Sequence, residues 1–158
     1  ASNLERLNRW SCAIRMFEER PIFGWGPGVY SFQYAPFQDP ADLTIISTNF
    51  GTGGNAHSEY FGPLAEMGVL GLVTFLIVIV IGVYKFIVIF YRTKSREMKL
   101  VIMGAFLGFT TYIVHGILNN YLDLDKANVP FWGFLAILVA VEVYHQNTSD
   151  DEMKELMR

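Results

Sequence analysis

The sequence is poor in cysteine and in charge. Its 158 residues include a single cysteine, Cys12, so an internal disulfide is excluded. Charged residues make up 17% of the chain and apolar residues 52%, whereas an ordinary soluble domain has about 25% and about 45–50%. The formal net charge of −3 offers no basic field, so we expect no nucleic-acid partner. This composition predicts a protein of the lipid bilayer.

The chain also lacks an initiator methionine and a signal peptide. It begins Ala1-Ser2-Asn3, with neither the basic start nor the short apolar run of a secretory signal. We therefore expect this sequence to be a piece of a longer protein.

Long apolar runs are confined to the second half of the chain. Residues 67–84 contain no charged residue, and about 20 such residues cross a hydrocarbon core of about 30 Å. We predict transmembrane helices over residues 61–91, 100–118 and 129–145. The third is short and contains Glu142, which makes it the least regular of the set.

The connectors between these spans differ in charge. The connector 92–99 is basic and the linker 119–128 is slightly acidic. Because basic connectors stay in the cytoplasm, we predict a cytoplasmic connector and a cytoplasmic tail 146–158, with the linker and residues 1–60 outside. The predicted fold is a mainly α, integral membrane helical fragment. In it, an extracytoplasmic (periplasmic) loop region with an amphipathic helix precedes about three transmembrane helices.

The amphipathic helix is predicted over residues 3–19. Asn3 can cap it and Pro21 ends it. Arg6 and Trp10 are four residues apart, so the guanidinium could stack on the indole. Alternatively, the arginines form a solvated face with the neighbouring glutamates. The apolar face recurs at helical spacing and consists of Leu4, Leu7, Trp10, Ile14 and Phe17.

Glycines alternate at positions 24, 26 and 28, directly after this helix. Glycine permits backbone torsions and close approaches that other residues do not. The spacing does not fit a dinucleotide-binding motif, and the strand that such a motif requires is not predicted. A structural turn packed by Trp25 is the simplest interpretation.

His57 lies just before the first predicted span. Its ordinary pKa of about 6.5 suits proton transfer, although a surface histidine without a role is the common alternative. A zinc site is not expected, because the sequence has no His-Glu-x-x-His motif and no cysteine pair. Glu66 follows at the lip of the membrane, where a carboxylate is either partnered, functional or exposed to water.

Taken in order, these motifs resemble the O-antigen ligase/polymerase superfamily of bacterial polytopic membrane glycosyltransferases. The resemblance covers the C-terminal portion of the family's architecture. The family often has His-Asn where this chain has His57-Ser58. The motifs are Arg6-x-x-x-Trp10, Pro21-x-x-Gly24-x-Gly26-x-Gly28, Asn55-Ala56-His57-Ser58-Glu59-Tyr60 and Leu64-Ala65-Glu66-x-Gly68-x-x-Gly71.

The resemblance implies a reaction in cell-surface polysaccharide assembly. A glycan on an undecaprenyl-diphosphate carrier is transferred to an acceptor hydroxyl, without a nucleotide sugar, a metal or another cofactor. Arg6 and His57 are the expected catalytic residues: a guanidinium suits the leaving diphosphate, and an imidazole can take the proton of the acceptor. The residues expected at the substrate are Arg9, Trp10, Gly24, Gly26, Gly28, Asn55 and Glu66. The implied location is the bacterial inner (plasma) membrane, with several spans and the large loop outside the cytoplasm.

Other functions remain open at this point. A polymerase of O-antigen or exopolysaccharide, or a protein O-oligosaccharyltransferase, would use the same chemistry with a growing glycan or a protein hydroxyl in place of lipid A core. A non-catalytic transport or assembly module would not require Arg6 and His57 to converge. The fragment by itself could also be inactive.

Overall fold

The computed structural model describes residues 2–43, 47 and 54–146, and it is mainly helical. This confirms the predicted fold class of an integral membrane helical fragment. Short 3-10 turns at Ala35–Phe37 and Pro40–Asp42 follow α2, and a π-helical turn at Val141–Gln146 follows α5. In chain order, the α-helices are α1 (Ser2–Glu19), α2 (Tyr30–Gln33), α3 (Phe61–Arg92), α4 (Arg96–His115) and α5 (Asp125–Ala140).

Among the described residues, three helical segments are long and apolar enough to cross a membrane. They are Phe61–Arg92, Arg96–His115 and Lys126–Tyr144. Less than a quarter of the most apolar window of each is buried within the protein, so most of that apolar surface is available to lipid. The sides of the membrane on which the connectors lie remain a prediction.

The chain divides into two compact units. The first comprises Ala1–Ile77 and Val114–Asp123, and the second comprises Val78–Ile113 and Leu124–Arg158. The core of the first unit joins α1 to α2 and to the start of α3, with Trp25, Phe37 and Phe61 packed around it. The buried residues of this core are Cys12, Ala13, Met16, Tyr30, Tyr34, Ala56 and Ala65.

Helix α1 buries a different face from the one that its apolar spacing predicts. Leu4 and Leu7 are 48% and 55% exposed, whereas Glu5, Asn8 and Arg9 are buried. The interpretation of the arginines as a solvated face is therefore wrong for Arg9. The physical reason is that the charges of Glu5 and Arg9 pair with each other inside the protein. Nδ2 of Asn8 and Nη1 of Arg9 are buried without a hydrogen-bond partner among the described residues.

Helix α3 is kinked at Gly68, whose φ of 65° and ψ of −159° are not helical. The backbone of the preceding loop enters the helix there. The N–H of Val69 donates to the carbonyl of Pro21 (2.8 Å), and the carbonyl of Ala65 accepts instead from the N–H of Trp25 (3.2 Å). Because the ladder is interrupted by these bonds, the helix bends at this point.

The second unit packs aromatic rings of α3, α4 and α5 against one another. Phe109 of α4 lies 5.6 Å from Phe86 and 5.2 Å from Phe131, measured between ring centroids. The ammonium of Lys85 forms an ion pair with the carboxylate of Glu142 in the π-helical turn. This pair supplies the partner that a carboxylate in an apolar span requires.

Candidate functional site

His57 sits in a tight turn just before α3. Its φ of 49° lies in the left-handed region, which non-glycine residues seldom occupy. The side chain of Asn55 accepts the backbone N–H of His57 at 3.1 Å. The hydroxyl of buried Ser58 accepts the N–H groups of Tyr60 and Phe61 at the start of α3 (3.2 and 3.4 Å). The side chain of Asn55 thus holds the backbone of His57, and the side chain of Ser58 holds the start of α3.

The imidazole of His57 is half-buried in a positive field. Burial lowers the pKa of His57 below its ordinary 6.5, the charges of Arg9 and Arg6 lower it further, and Glu5 opposes them. The neutral imidazole is therefore favoured at pH 7, with a lone pair able to accept a proton. The charges of these two arginines of α1 thus act on the histidine.

Arg9 is a buried residue with internal partners. Its Nε donates to Oε1 of Glu5 at 2.8 Å, and its guanidinium lies 4.2 Å above the ring of Tyr34. The other oxygen of Glu5 accepts the hydroxyl of Ser47 at 2.8 Å. A Cβ on Gly54 would lie 1.5 Å from Nη1 of Arg9, so the guanidinium packs directly against the backbone of Gly54. The Arg9–Glu5 pair thus anchors the segment that leads to His57.

Arg6 is the more accessible arginine. It is half-buried, and its Nη1 makes one long hydrogen bond of 3.4 Å to the side chain of Asn3. In the described part of the chain its guanidinium has no other partner, so most of its donors are open to a ligand there. Arg6 and Arg9 therefore differ in kind, although they lie only one helical turn apart.

Trp10 packs on an aromatic ring and not on Arg6. Its indole stacks on Phe61, the first residue of α3, with centroids 5.2 Å apart. Its Nε1 is buried and has no acceptor among the residues that the structure describes. Of the cations of α1, it is Arg9 that lies over a ring, that of Tyr34.

The glycine loop is built against the kink of α3. Gly24, Gly26 and Gly28 all have positive φ, of 67°, 118° and 72°. A Cβ on Gly24 would lie 2.4 Å from the backbone carbonyl of Glu66, whereas one on Gly28 would meet nothing within 4 Å. Close approach therefore requires glycine at position 24, and backbone torsion alone favours it at position 28.

Glu66 is a partnered carboxylate. Its two oxygens accept the backbone N–H groups of Gly28 and Tyr30, each at 2.9 Å, and its carbonyl accepts that of Gly26 at 2.7 Å. The hydroxyl of Tyr30 in turn donates to the carbonyl of Arg9 at 2.7 Å. Glu66 thus fixes the shape of the glycine loop and links it to α1.

Alanine substitutions at positions 24 and 28 should separate the two reasons for glycine in this loop, which are close approach and backbone torsion. Gly28→Ala is expected to cost about 1–2 kcal/mol, the usual penalty of a left-handed residue. Gly24→Ala carries the same penalty and adds overpacking against Glu66, worth about 1–3 kcal/mol more. Thermal unfolding of the two purified variants in detergent checks this order. Equal losses of stability would contradict the contact with Glu66.

Glu59 is a buried carboxylate that the sequence reasoning missed. Its Oε1 accepts the N–H of Leu122 at 2.6 Å, and its own N–H donates to the carbonyl of Gly116 at 2.8 Å. Burial raises the pKa of Glu59 to about 7; the N–H of Leu122 opposes this shift and the charge of Asp123 adds to it. Its place two residues after His57, at the lip of a span, was the available signal.

The pH dependence of stability should report on Glu59. Because its pKa in the folded protein (about 7) exceeds the ordinary 4.5, the folded state binds more protons between these values. The contribution of Glu59 to stability is thus fully present below pH 4.5 and falls as the pH rises towards 7. Glu59→Gln, which keeps an acceptor for Leu122, is expected to melt above the parent at pH 8 and near it at pH 4.5. An equal difference in melting temperature between the two proteins at pH 4.5 and at pH 8 would refute this.

The described residues of the first unit therefore hold two groups of predicted site residues. Arg6, Arg9 and His57 share one electrostatic environment. The glycine loop and Glu66 form a second group, held by backbone hydrogen bonds. Within the part of the chain described, no cluster of three or more histidine, cysteine or acidic side chains is arranged to hold a metal ion.

Part of the chain is similar to a known protein family. The model of the family described as Wzy_C, O-antigen ligase, matches residues 1–76. The matched range contains every residue predicted for the site, from Arg6 to Glu66. No curated protein and no solved structure matches the chain.

Proposed function

Because the chain belongs to the O-antigen ligase superfamily, we propose that it transfers a glycan from an undecaprenyl-diphosphate carrier to an acceptor hydroxyl. The observation that supports this most is the set of Arg6 and His57, both half-buried, within the first unit and within the matched residues 1–76. It combines an accessible cation with a neutral imidazole, and these are the two groups that such a transfer requires.

His57 acts as the base in this proposal. The acceptor oxygen attacks the anomeric carbon of the glycan and loses its proton to the imidazole, while the bond from that carbon to the diphosphate oxygen breaks. The lowered pKa of His57 keeps it unprotonated before the reaction. Asn55 and Ser58 contribute by fixing the backbone of the turn that carries it.

Arg6 receives the leaving group. A guanidinium can donate two parallel hydrogen bonds to a phosphate and remains charged at every physiological pH. Arg9 is buried in its pair with Glu5 and supports the site by its charge and by its contact with Gly54. Trp10, Glu66 and the glycine loop shape the surroundings.

The proposed setting is the plasma membrane of a bacterium, with residues 1–60 on the outer side. Helix α3 begins four residues after His57. The catalytic turn thus lies where a lipid-linked diphosphate would meet the protein, with its polyprenyl chain among the acyl chains. The acceptor decides whether the enzyme is a ligase to lipid A core, a polymerase or a protein glycosyltransferase.

The test uses membranes from cells that express the complete reading frame containing this chain. They receive an undecaprenyl-diphosphate glycan together with lipid A core, a glycan or a Ser/Thr peptide as acceptor. Transfer to one of these acceptors is expected, and Arg6→Ala should slow it about 10²–10³-fold, as loss of one charge-stabilising group typically does. Arg6→Lys keeps the charge without the bidentate geometry and should be intermediate.

Arg92→Ala is the matched control, because Arg92 is exposed at the end of α3 and belongs to the other unit. It should transfer normally. Unchanged transfer by Arg6→Ala would remove the diphosphate role from Arg6. Absence of transfer by the parent protein to all three acceptors would favour the non-catalytic module.

A further inference from the structure

Two large apolar side chains project from the turn that follows α1. Ile22 is 56% exposed and Phe23 is 77% exposed. Burying a side chain of this size in an apolar environment is worth about 1.5–3 kcal/mol. Pro21 comes directly before them, and its ring fixes its own φ in this turn.

The turn is attached to the first membrane-spanning helix. The carbonyl of Pro21 accepts the N–H of Val69, and the carbonyl oxygen of Ile22 lies 2.4 Å from where a Cβ on Gly68 would stand. Two residues further on, Gly24 makes the equivalent close approach to Glu66. The backbone of the turn therefore runs against residues 66–69 of α3.

That stretch of α3 is where the membrane must begin. Glu66 is the last charged residue before the uncharged run 67–84, and this run at about 1.5 Å per residue nearly fills a hydrocarbon core of about 30 Å. On α3 itself, Val69 and Leu70 are 40% and 48% exposed. Ile22 and Phe23 thus lie at the depth of the first apolar turn of a helix that faces lipid.

We propose that Ile22 and Phe23 insert into the bilayer, at the boundary between headgroups and acyl chains around the start of α3. The neighbouring pair fits the same boundary, because the guanidinium of Arg20 lies 4.0 Å above the ring of Trp25. Tryptophan and basic residues are typical of this interface. The occupant of this surface is bilayer lipid, and the proposal does not depend on the transfer reaction.

Such an anchor sets the height of the site above the membrane. The turn joins α1, which carries Arg6, to the glycine loop. With Ile22 and Phe23 held in lipid, α1 cannot lift away from the bilayer. The anchor thus fixes the distance from the lipid surface to the predicted catalytic residues.

The test places a fluorescent label in the turn. The complete protein carries Cys12→Ser and Phe23→Cys, labelled with an environment-sensitive dye, in phosphatidylcholine vesicles free of any lipid-linked glycan. We expect blue-shifted emission, quenching by lipids with a nitroxide near the headgroup, and protection from aqueous iodide. Leu43→Cys is the control: Leu43 is 42% exposed in the same unit, follows acidic Asp42 in the sequence, and should behave in the opposite way.

Two outcomes would overturn the proposal. Quenching of the label at position 23 by iodide would mean that the turn lies in water. Protection from both iodide and nitroxide lipids would mean that another protein segment covers it. As a second measurement, the melting temperature of Phe23→Asp is compared with that of the parent, in vesicles and in detergent-free buffer with an amphipathic polymer. The loss should be larger in vesicles, because exposed Phe23 makes little internal packing.

Discussion

Replacing His57 with alanine is expected to abolish glycan transfer while the protein still enters the membrane. General-base catalysis by a positioned side chain contributes about 10²–10⁴-fold, so kcat should fall by that factor. The half-buried imidazole of His57 lies in a turn held by Asn55, and His57 does not belong to the hydrophobic core of the first unit. Transfer rates and membrane content, measured on the same preparations of the complete protein, check this expectation.

The left-handed backbone of His57 calls for a second substitution. Asparagine tolerates φ near 49° better than alanine does, yet it cannot act as a base. His57→Asn should therefore be as stable as the parent and as inactive as His57→Ala. His115→Ala is the matched control, because His115 is an exposed histidine at the end of α4 and should leave transfer unchanged.

The pH profile adds a readout of the same group. Because burial and the two arginines lower the pKa of His57, transfer should persist below pH 6.5 and decline only as the imidazole becomes protonated. Activity retained by His57→Asn, or a profile that is flat across this region, would exclude His57 as the base.

The membrane helices could be predicted from the sequence because their physical requirement is local. A chain that crosses hydrocarbon must satisfy its backbone polar groups within the segment and must present apolar side chains to lipid, whatever its neighbours are. Residues 67–84 satisfy this without reference to the rest of the fold. The kink at Gly68 was not predictable in this way, because its cause is the backbone of residues 21–25.

The orientation of α1 shows the limit of periodicity. Leu4 and Leu7 satisfy the helical spacing of a core face but are exposed, whereas Glu5 and Arg9 are buried. The pair is stable there because Ser47 and Tyr34 complete its environment, and both are remote in sequence. Such a polar interior is specified by tertiary contacts, and no hydrophobic pattern reports it.

Part of the candidate site was accessible from the sequence for chemical reasons. Arg6 and His57 are residue types with few purposes other than charge and proton transfer, and they stood in motifs of recognisable order. Glu59 was missed because its place near His57 is a weak signal until its bond to the N–H of Leu122 and the charge of Asp123 are known. Glu66 was noticed, and the structure adds that it holds the glycine loop.

Replacing Arg9 alone should cause a large loss of stability in the first unit. Its removal leaves the carboxylate of Glu5 buried without its cation, and breaking such a pair costs about 3–5 kcal/mol. The contact with the ring of Tyr34 and the support of Gly54 are lost as well. Arg9→Met and Glu5→Leu are each expected to lower the free energy of unfolding by amounts of this order.

The double variant should recover much of that loss. Exchange of a whole buried ion pair for apolar residues of similar volume is often neutral or stabilising by about 1–4 kcal/mol. Unfolding of the parent, both single variants and the double variant in detergent forms a double-mutant cycle that measures the coupling. Additive effects of Arg9→Met and Glu5→Leu would mean that the pair at 2.8 Å contributes no coupling energy.

Arg6 is the matched control, one helical turn away. It is half-buried and makes one long hydrogen bond, so Arg6→Met should change stability by about 0.5 kcal/mol or less, as substitutions away from core features do. The same variant should lose transfer, whereas the stable Arg9→Met/Glu5→Leu protein should retain part of it. If substitution of Arg6 and substitution of Arg9 instead changed stability and transfer in parallel, the division between a supporting Arg9 and a diphosphate-binding Arg6 would be wrong.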